Sequence, residues 1–159
     1  MINVVILAAG QGKRMHSRLP KVLQPLAGKP MIEHVLDTVA TLGDVAKTIV
    51  VVGHLAPLVQ ESLKNHPDVQ FVLQEPQLGT GHALQQALPS LDLSAEQTLV
   101  LLGDVSLIQT ETVARLRTVA GDGMALLTTV LRNPTGYGRI LRQKGRIVAI
   151  VEQKDATEG

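Results

Sequence analysis

Three stretches of the sequence carry residue types and spacings suited to holding a phosphorylated ligand. The first, Gly10-Gln11-Gly12-Lys13-Arg14-Met15, follows an aliphatic run and sets the small residues Ala8, Ala9, Gly10 and Gly12 beside the cations Arg14 and Lys21. Small side chains let a flat base or a phosphate lie against the backbone. Two cations near free amides suit a triphosphate, whose charge spreads over many oxygens. Two glycines and an arginine alone describe a solvated turn equally well. The second stretch runs from Gln74 to Ala83, with Gly79-Thr80-Gly81-His82 at its centre. Thr80 reads as the N-cap of a helix whose first amides face an anion or a carbonyl. Gln74 can both donate and accept, which suits reading a base edge; a capped helix with a surface glutamine also accounts for this stretch taken alone. The third is Gly103-Asp104, after the apolar run Leu99-Val100-Leu101-Leu102. Its lone carboxylate either caps the next helix or holds a divalent metal shared with phosphate oxygens. The next helical pattern starts only at Thr110, which favours the metal, and Mg²⁺ is commonly held by one or two carboxylates plus substrate oxygens and water.

Two common nucleotide motifs fail. A dinucleotide fingerprint needs a third glycine where Met15 stands, and an acidic residue after the second strand, where the chain reads Gly53-His54. The Walker pattern is missing as well. The five histidines, His16, His34, His54, His66 and His82, have no paired ligand spacing and read as surface or packing residues. The sequence contains no cysteine, so a disulfide framework, a thiolate metal site and a cysteine nucleophile are excluded. With 15 basic and 14 acidic residues well mixed, and Phe71 and Tyr137 the only aromatics, neither the basic stripe nor the stacking platform of a nucleic-acid binder is present. The apolar start lacks a preceding basic region, which argues against a signal peptide, and no apolar run reaches the roughly 20 residues needed to span a bilayer. The expectation is a soluble, cytoplasmic protein that binds neither nucleic acid nor membrane.

The elements that must position these residues alternate. Buried strands are expected at Asn3–Ala9, Lys47–Gly53, Val69–Gln74, Thr98–Gly103 and Met124–Leu131. Helices are expected from Pro30 to about Leu42, and at Pro57–Asn65, Thr80–Leu88 and Thr110–Ala120. This order predicts an α/β fold, a mostly parallel Rossmann-like sheet with helices on both faces. All three candidate stretches then fall at the carboxyl edge of the sheet, where open α/β sheets bind ligands. After Gly138 the rhythm changes: Arg139–Arg142 and Arg146–Val151 flank Lys144-Gly145 as a β-hairpin.

The run from Leu7 to Met15, continuing to Leu19-Pro20-Lys21-Val22-Leu23, resembles the signature of nucleotidyltransferases that make activated sugars. Gln74–Ala83, Gly103-Asp104-Val105, Asn133–Ile140 and Val151–Thr157 follow in order. Together they resemble the N-terminal uridylyltransferase domain of the bifunctional N-acetylglucosamine-1-phosphate uridylyltransferase/glucosamine-1-phosphate acetyltransferases, over essentially the whole chain. The resemblance implies that Leu7, Ala8 and Gly10 with Gln74, Gly79 and Thr80 hold the uridine of UTP. It implies that Arg14 and Lys21 act on the triphosphate, that Asp104 binds Mg²⁺, and that Gly138 and Glu152 bind the sugar of N-acetylglucosamine-1-phosphate. It departs from the family's pattern at Ser106, where a proline usually follows Gly-Asp-Val. By the same resemblance, residues 1–159 form part of a nucleotidyltransferase domain. The family's second metal-binding asparagine, a sugar-contacting asparagine and the trimer-forming β-helix acetyltransferase domain are expected beyond Gly159. Two rival readings stand beside it: a sugar-phosphate nucleotidyltransferase for another base, and a non-catalytic nucleotide-binding module.

Overall fold

The computed structural model describes residues 1–10, 12, 17–151 and 155. Arg14 and Glu152 lie outside the described residues. The chain divides into two compact units, Met1–Ala125 and Leu126–Gly159.

In the first unit a four-stranded sheet is built from β1 (Ile2–Leu7), β4 (Val45–Val52), β5 (Val69–Leu73) and β6 (Gln97–Leu102), in the order β5-β4-β1-β6. Every pairing in it is parallel. The helices are α1 (Met31–Ala40), α2 (Ala56–Ser62), α3 (Thr80–Ala87) and α4 (Thr110–Ala120). The expected α/β architecture is therefore present.

Alternation along β1 distributes the helices. Ile2, Val4 and Ile6 pack with Ile32, Val35, Leu36 and Val39 of α1, Val59 of α2 and Val113 of α4. Val5 points the other way, into a smaller cluster with Ile49, Val51 and the alanines Ala83 and Ala87 of α3. Successive strand side chains face opposite sides, so one β-branched run seeds both layers. Asn3 is the polar exception inside β1, and its side chain exchanges two hydrogen bonds with the Asp92 backbone, at 3.0 and 2.9 Å. On the opposite sheet edge from the candidate residues, the Arg117 guanidinium of α4 donates twice to the Asp44 carboxylate, at 3.0 and 2.8 Å, tying the helix to the start of β4. Those hydrogen bonds hold the Asp44 carboxyl below its ordinary value.

The sequence reading fails at Met124–Leu131, which forms no strand. Val130 is fully exposed and Met124 is 82% exposed. An apolar run becomes a strand only where a ladder partner and a face to cover are available, and no described strand pairs with this one. The sequence reading also missed a short antiparallel ladder, β2 (Pro25–Leu26) with β3 (Lys29–Pro30), turned by Ala27 and Gly28, both at positive φ. Two-residue strands that each contain proline offer no periodicity to read.

The second unit contains the expected hairpin, β7 (Arg139–Gln143) with β8 (Arg146–Val151). Lys144 and Gly145 both adopt positive φ, the requirement of a tight two-residue hairpin turn. Among the described residues, no helix is long and apolar enough to cross a membrane.

Candidate nucleotide-binding site

Register decides which loops meet. Leu7 pairs with Val51 on one side and Leu102 on the other, and Val52 pairs with Leu73. The strands thus end level, and Ala8–Gly10, Gly53, Gln74 and Gly103-Asp104 emerge at the same edge. Backbone hydrogen bonds extend the order past the strand ends: Ala8 N–H donates to Val51 O at 2.8 Å, Gly103 N–H to Leu7 O at 3.0 Å, and Gln74 N–H to Val52 O at 2.7 Å. After β1 the chain winds outward through β4 and β5, then returns to place β6 on the other side of β1. Such a reversal leaves a crevice at the carboxyl edge.

A cavity of about 500 Å³ occupies this edge. Leu7, Ala8 and Gly10 line it from the first loop, and Gln74, Gly79 and Thr80 from the second. Lys21 and Asp104 line it too. Eight residues drawn from three separated stretches of sequence are thus brought together. Gly138 belongs to the second unit, immediately before β7.

Two glycines hold the strand ends close. A Cβ on Gly53 would lie 2.9 Å from both the Ala9 carbonyl oxygen and the Ala9 Cβ, and 2.5 Å from Gln77 Nε2. A Cβ on Gly103 would lie 3.0 Å from Val22 Cγ1 and 3.3 Å from the Leu7 carbonyl oxygen. Gly10 differs, because a Cβ there would meet nothing within 4 Å among the described residues. No described side chain stands between that position and the cavity it lines.

Local folding positions the charged pair. A 3₁₀ turn at Lys21–Leu23 buries Val22 and Leu23 and leaves Lys21 at the cavity, where its Nζ contacts Asp104 Oδ2. Asp104 does not cap α4, whose N-cap is Gln109 with no side-chain bond to the helix. The alternative of a helix cap is thereby removed. Among the described residues no group of three or more His, Cys, Asp or Glu gathers to hold a metal. Asp104 supplies a single carboxylate, a donor set that suits a hard divalent ion only when phosphate oxygens and water complete the shell. Ser106, two residues on, is 8% exposed, and its buried Oγ has no hydrogen-bond partner among the described residues.

The second loop corrects one expectation. Thr80 is the first residue of α3 rather than its cap; Gly79 holds the N-cap position with φ 106° and no side-chain bond caps the helix. The first intrahelical bond is Ala83 N–H to Gly79 O at 3.1 Å, so the amides of Thr80, Gly81 and His82 precede it. Helix starts without a side-chain cap keep these donors for another acceptor. Sequence reasoning missed Gln77, which lines the cavity, and His82, whose ring lies 3.1 Å from the Gln74 amide. The signal for His82 was its spacing of four from Gln86 along α3.

A parallel sheet with a small-residue loop, a helix start and a cation–carboxylate pair around one cavity defines an α/β domain of the nucleotidyltransferase type. The chain belongs to the family of MobA-like NTP transferase domains, which it matches over residues 4–153. It is 59% identical over 158 residues to the bifunctional protein GlmU of Paraburkholderia phymatum, a match covering 98% of this chain and 34% of that protein. The chain spans about a third of the length of the curated relatives it matches. Among solved structures, a nucleotidyl transferase from Methanothermobacter thermautotroptrophicus is 29% identical with a TM-score of 0.65, over 74% of this chain and 57% of that one. A protein from Mycobacterium tuberculosis, solved as a complex with manganese, is 25% identical with a TM-score of 0.60, over 74% of this chain and 58% of that one.

Proposed function

We propose that this chain forms the UTP-binding side of an enzyme that transfers UMP from UTP to N-acetylglucosamine-1-phosphate, giving UDP-N-acetylglucosamine and pyrophosphate for cell-envelope polysaccharide precursors. One observation carries the reading: Gly10, Lys21, Gln74, Thr80 and Asp104, far apart in sequence, line one cavity at the carboxyl edge of the sheet. The likeness to GlmU proteins at 54–59% identity supports the choice of substrates.

In this reading the backbone at Leu7, Ala8 and Gly10, with Gln74, Gly79 and Thr80, holds the uridine. Lys21 and Arg14 bind the triphosphate, and Gly138 and Glu152 bind the sugar. The sugar phosphate is already an anion, so no general base is required. Its oxygen attacks the α-phosphorus in line and pyrophosphate leaves, carrying the bonding electrons of the cleaved P–O bond. The chain's contribution is to align the reactants and to neutralise charge that grows on the phosphate oxygens. Asp104 would hold Mg²⁺, which supplies further neutralisation of the phosphates when bound. Lys21 pairs with the same carboxylate, so its ammonium is free for phosphate once a divalent ion takes its place. For the whole protein we propose a cytoplasmic homotrimer that also acetylates glucosamine-1-phosphate.

The test is pyrophosphate release from a panel of UTP, CTP, GTP, dTTP and ATP, with N-acetylglucosamine-1-phosphate and Mg²⁺. It is run on this chain and on a full-length protein carrying it. UTP is expected to lead the panel. Preference for another base would reassign the substrate, and UTP binding without turnover in the full-length protein would make the domain a non-catalytic nucleotide binder.

A further inference from the structure

Among the described residues that line the cavity, Lys21 is the one cation and Asp104 the one anion, and they are paired with each other. The backbone beneath the pair is wedged from two sides. Gly12, at φ 57°, packs so close to Lys21 that a Cβ on it would lie 3.0 Å from Lys21 Cβ and 3.6 Å from the Lys21 nitrogen. On the other side Val22 is buried, with its Cγ1 3.0 Å from where a Cβ on Gly103 would sit. The turn that carries Lys21 is therefore held between the first loop and the strand end that carries Asp104. Packing this close leaves little room for a backbone shift. The pair must part by side-chain rotation, and the flexible four-carbon stem of lysine is the longer lever.

Charge balance then decides what can bind alone. A divalent ion arriving alone must take Asp104 from Lys21, which leaves an ammonium beside a second cation. A triphosphate arriving alone must take Lys21 from Asp104, which leaves a carboxylate beside several negative oxygens. Like charges a few ångströms apart repel more strongly at a protein cavity than in bulk water. When both ligands arrive, partners are exchanged: the ammonium turns to phosphate and the carboxylate to the ion, and no charge faces its like.

We propose that Lys21 is a stand-in cation for the divalent ion at Asp104, so that the chain takes up ion and triphosphate as a coupled pair and resists either one alone. The inference rests on the cavity being the nucleotide site proposed above. Linkage makes the effect reciprocal: whatever Lys21 costs the ion at Asp104, Asp104 costs the triphosphate at Lys21. Both side chains are partly exposed, so an effect of roughly 3- to 5-fold on each affinity is expected. Divalent ions and UTP also associate in water, so the coupling is read from differences between variants.

Two titrations of the whole chain test it, on the wild type, Lys21→Met, Asp104→Asn and the double variant. The first follows Mn²⁺ without nucleotide, by the electron paramagnetic resonance of the free ion. Lys21→Met should bind Mn²⁺ roughly 3- to 5-fold more tightly than the wild type, and adding Asp104→Asn should erase the gain. Wild-type affinity in Lys21→Met, or a gain that survives Asp104→Asn, overturns the stand-in role. The second follows UTP by calorimetry with all divalent ions chelated. Asp104→Asn should tighten UTP, and by at least about 3-fold more when Lys21 is present than in the Lys21→Met background. Equal gains in both backgrounds mean that the carboxylate merely repels phosphate at a distance, and they overturn the proposal. The single variant Asp104→Asn answers independently of how Lys21→Met folds, since metal-free UTP affinity that stays level or falls is also a refutation. In all these refutations UTP still binds, and the nucleotide site stands. Binding of UTP by none of the four proteins, with or without Mg²⁺, removes that site and the stand-in role with it.

Discussion

Alanine at Gly53 and alanine at Gly10 should damage this protein in opposite ways. Both glycines sit at the carboxyl edge of the sheet, and neither has φ in the left-handed region, so only the added methyl matters. At Gly53 that methyl would sit 2.9 Å from the Ala9 carbonyl oxygen and the Ala9 Cβ. Carbon contacts are most favourable at about 3.5–4.0 Å, so the ends of β4 and β1 must separate by roughly half an ångström or more. Ala9 presents backbone, which cannot swing aside as a long side chain would. Overpacking of this kind costs about 1–3 kcal/mol. For a domain of this size that lowers Tm by roughly 2–12 °C. At Gly10 the methyl meets nothing within 4 Å among the described residues, so stability should stay within about 0.5 kcal/mol of wild type. It would occupy the space through which a ligand reaches the backbone, and a clash of about 1–3 kcal/mol there weakens UTP roughly 5- to 150-fold. Thermal melts and UTP titrations on both variants read the two effects separately. A wild-type Tm for Gly53→Ala refutes the packing argument, and wild-type UTP affinity for Gly10→Ala refutes the placement of the ligand against the first loop.

Three further outcomes are expected. Asp104→Asn should abolish the dependence of UTP affinity on divalent ions while the far-ultraviolet circular dichroism is kept; an unchanged metal dependence would show that the ion is held elsewhere. Ser106→Ala removes a buried hydroxyl with no partner among the described residues and should raise stability by about 1 kcal/mol in chemical denaturation, whereas a loss would mean that the hydroxyl has a partner in solution. Arg117→Met should lower stability by roughly 0.5–1 kcal/mol at neutral pH, because Asp44, its partner, is partly exposed. Arg117 depresses the folded-state value of Asp44, so this contribution is present above the unfolded value of about 3.9 and is lost as pH falls through the folded one. A wild-type-to-variant difference that persists unchanged below that window would assign the effect to lost packing instead.

The sheet and its helices were legible because β1, β4, β5 and β6 are short aliphatic runs ended by glycine or a polar residue, and because α1 and α4 repeat apolar residues at helical spacing. Met124–Leu131 has the same composition but lacks a partner, and composition does not report partners. The candidate residues were legible singly, as a loop, a helix start and a carboxylate. Their meeting was not, because it depends on Leu7, Val51 and Leu102 ending level. Residue preference points to Thr80 as the cap, whereas Gly79, at φ 106°, turns the chain one residue earlier. His82 has no metal-ligand spacing in the sequence, and its contacts with Gln74 and Gln86 depend on the turn at Gly79 that starts α3.

The central claim is that the cavity at the carboxyl edge of the sheet holds UTP. It is tested most directly by following backbone amide resonances as UTP and Mg²⁺ are added to the isotopically labelled chain. Saturable shifts are expected at Ala8, Gly10, Gly79 and Thr80, with the opposite edge, at Asp44 and Arg117, unmoved. Saturable shifts centred on that opposite edge, or none at millimolar UTP, would contradict it.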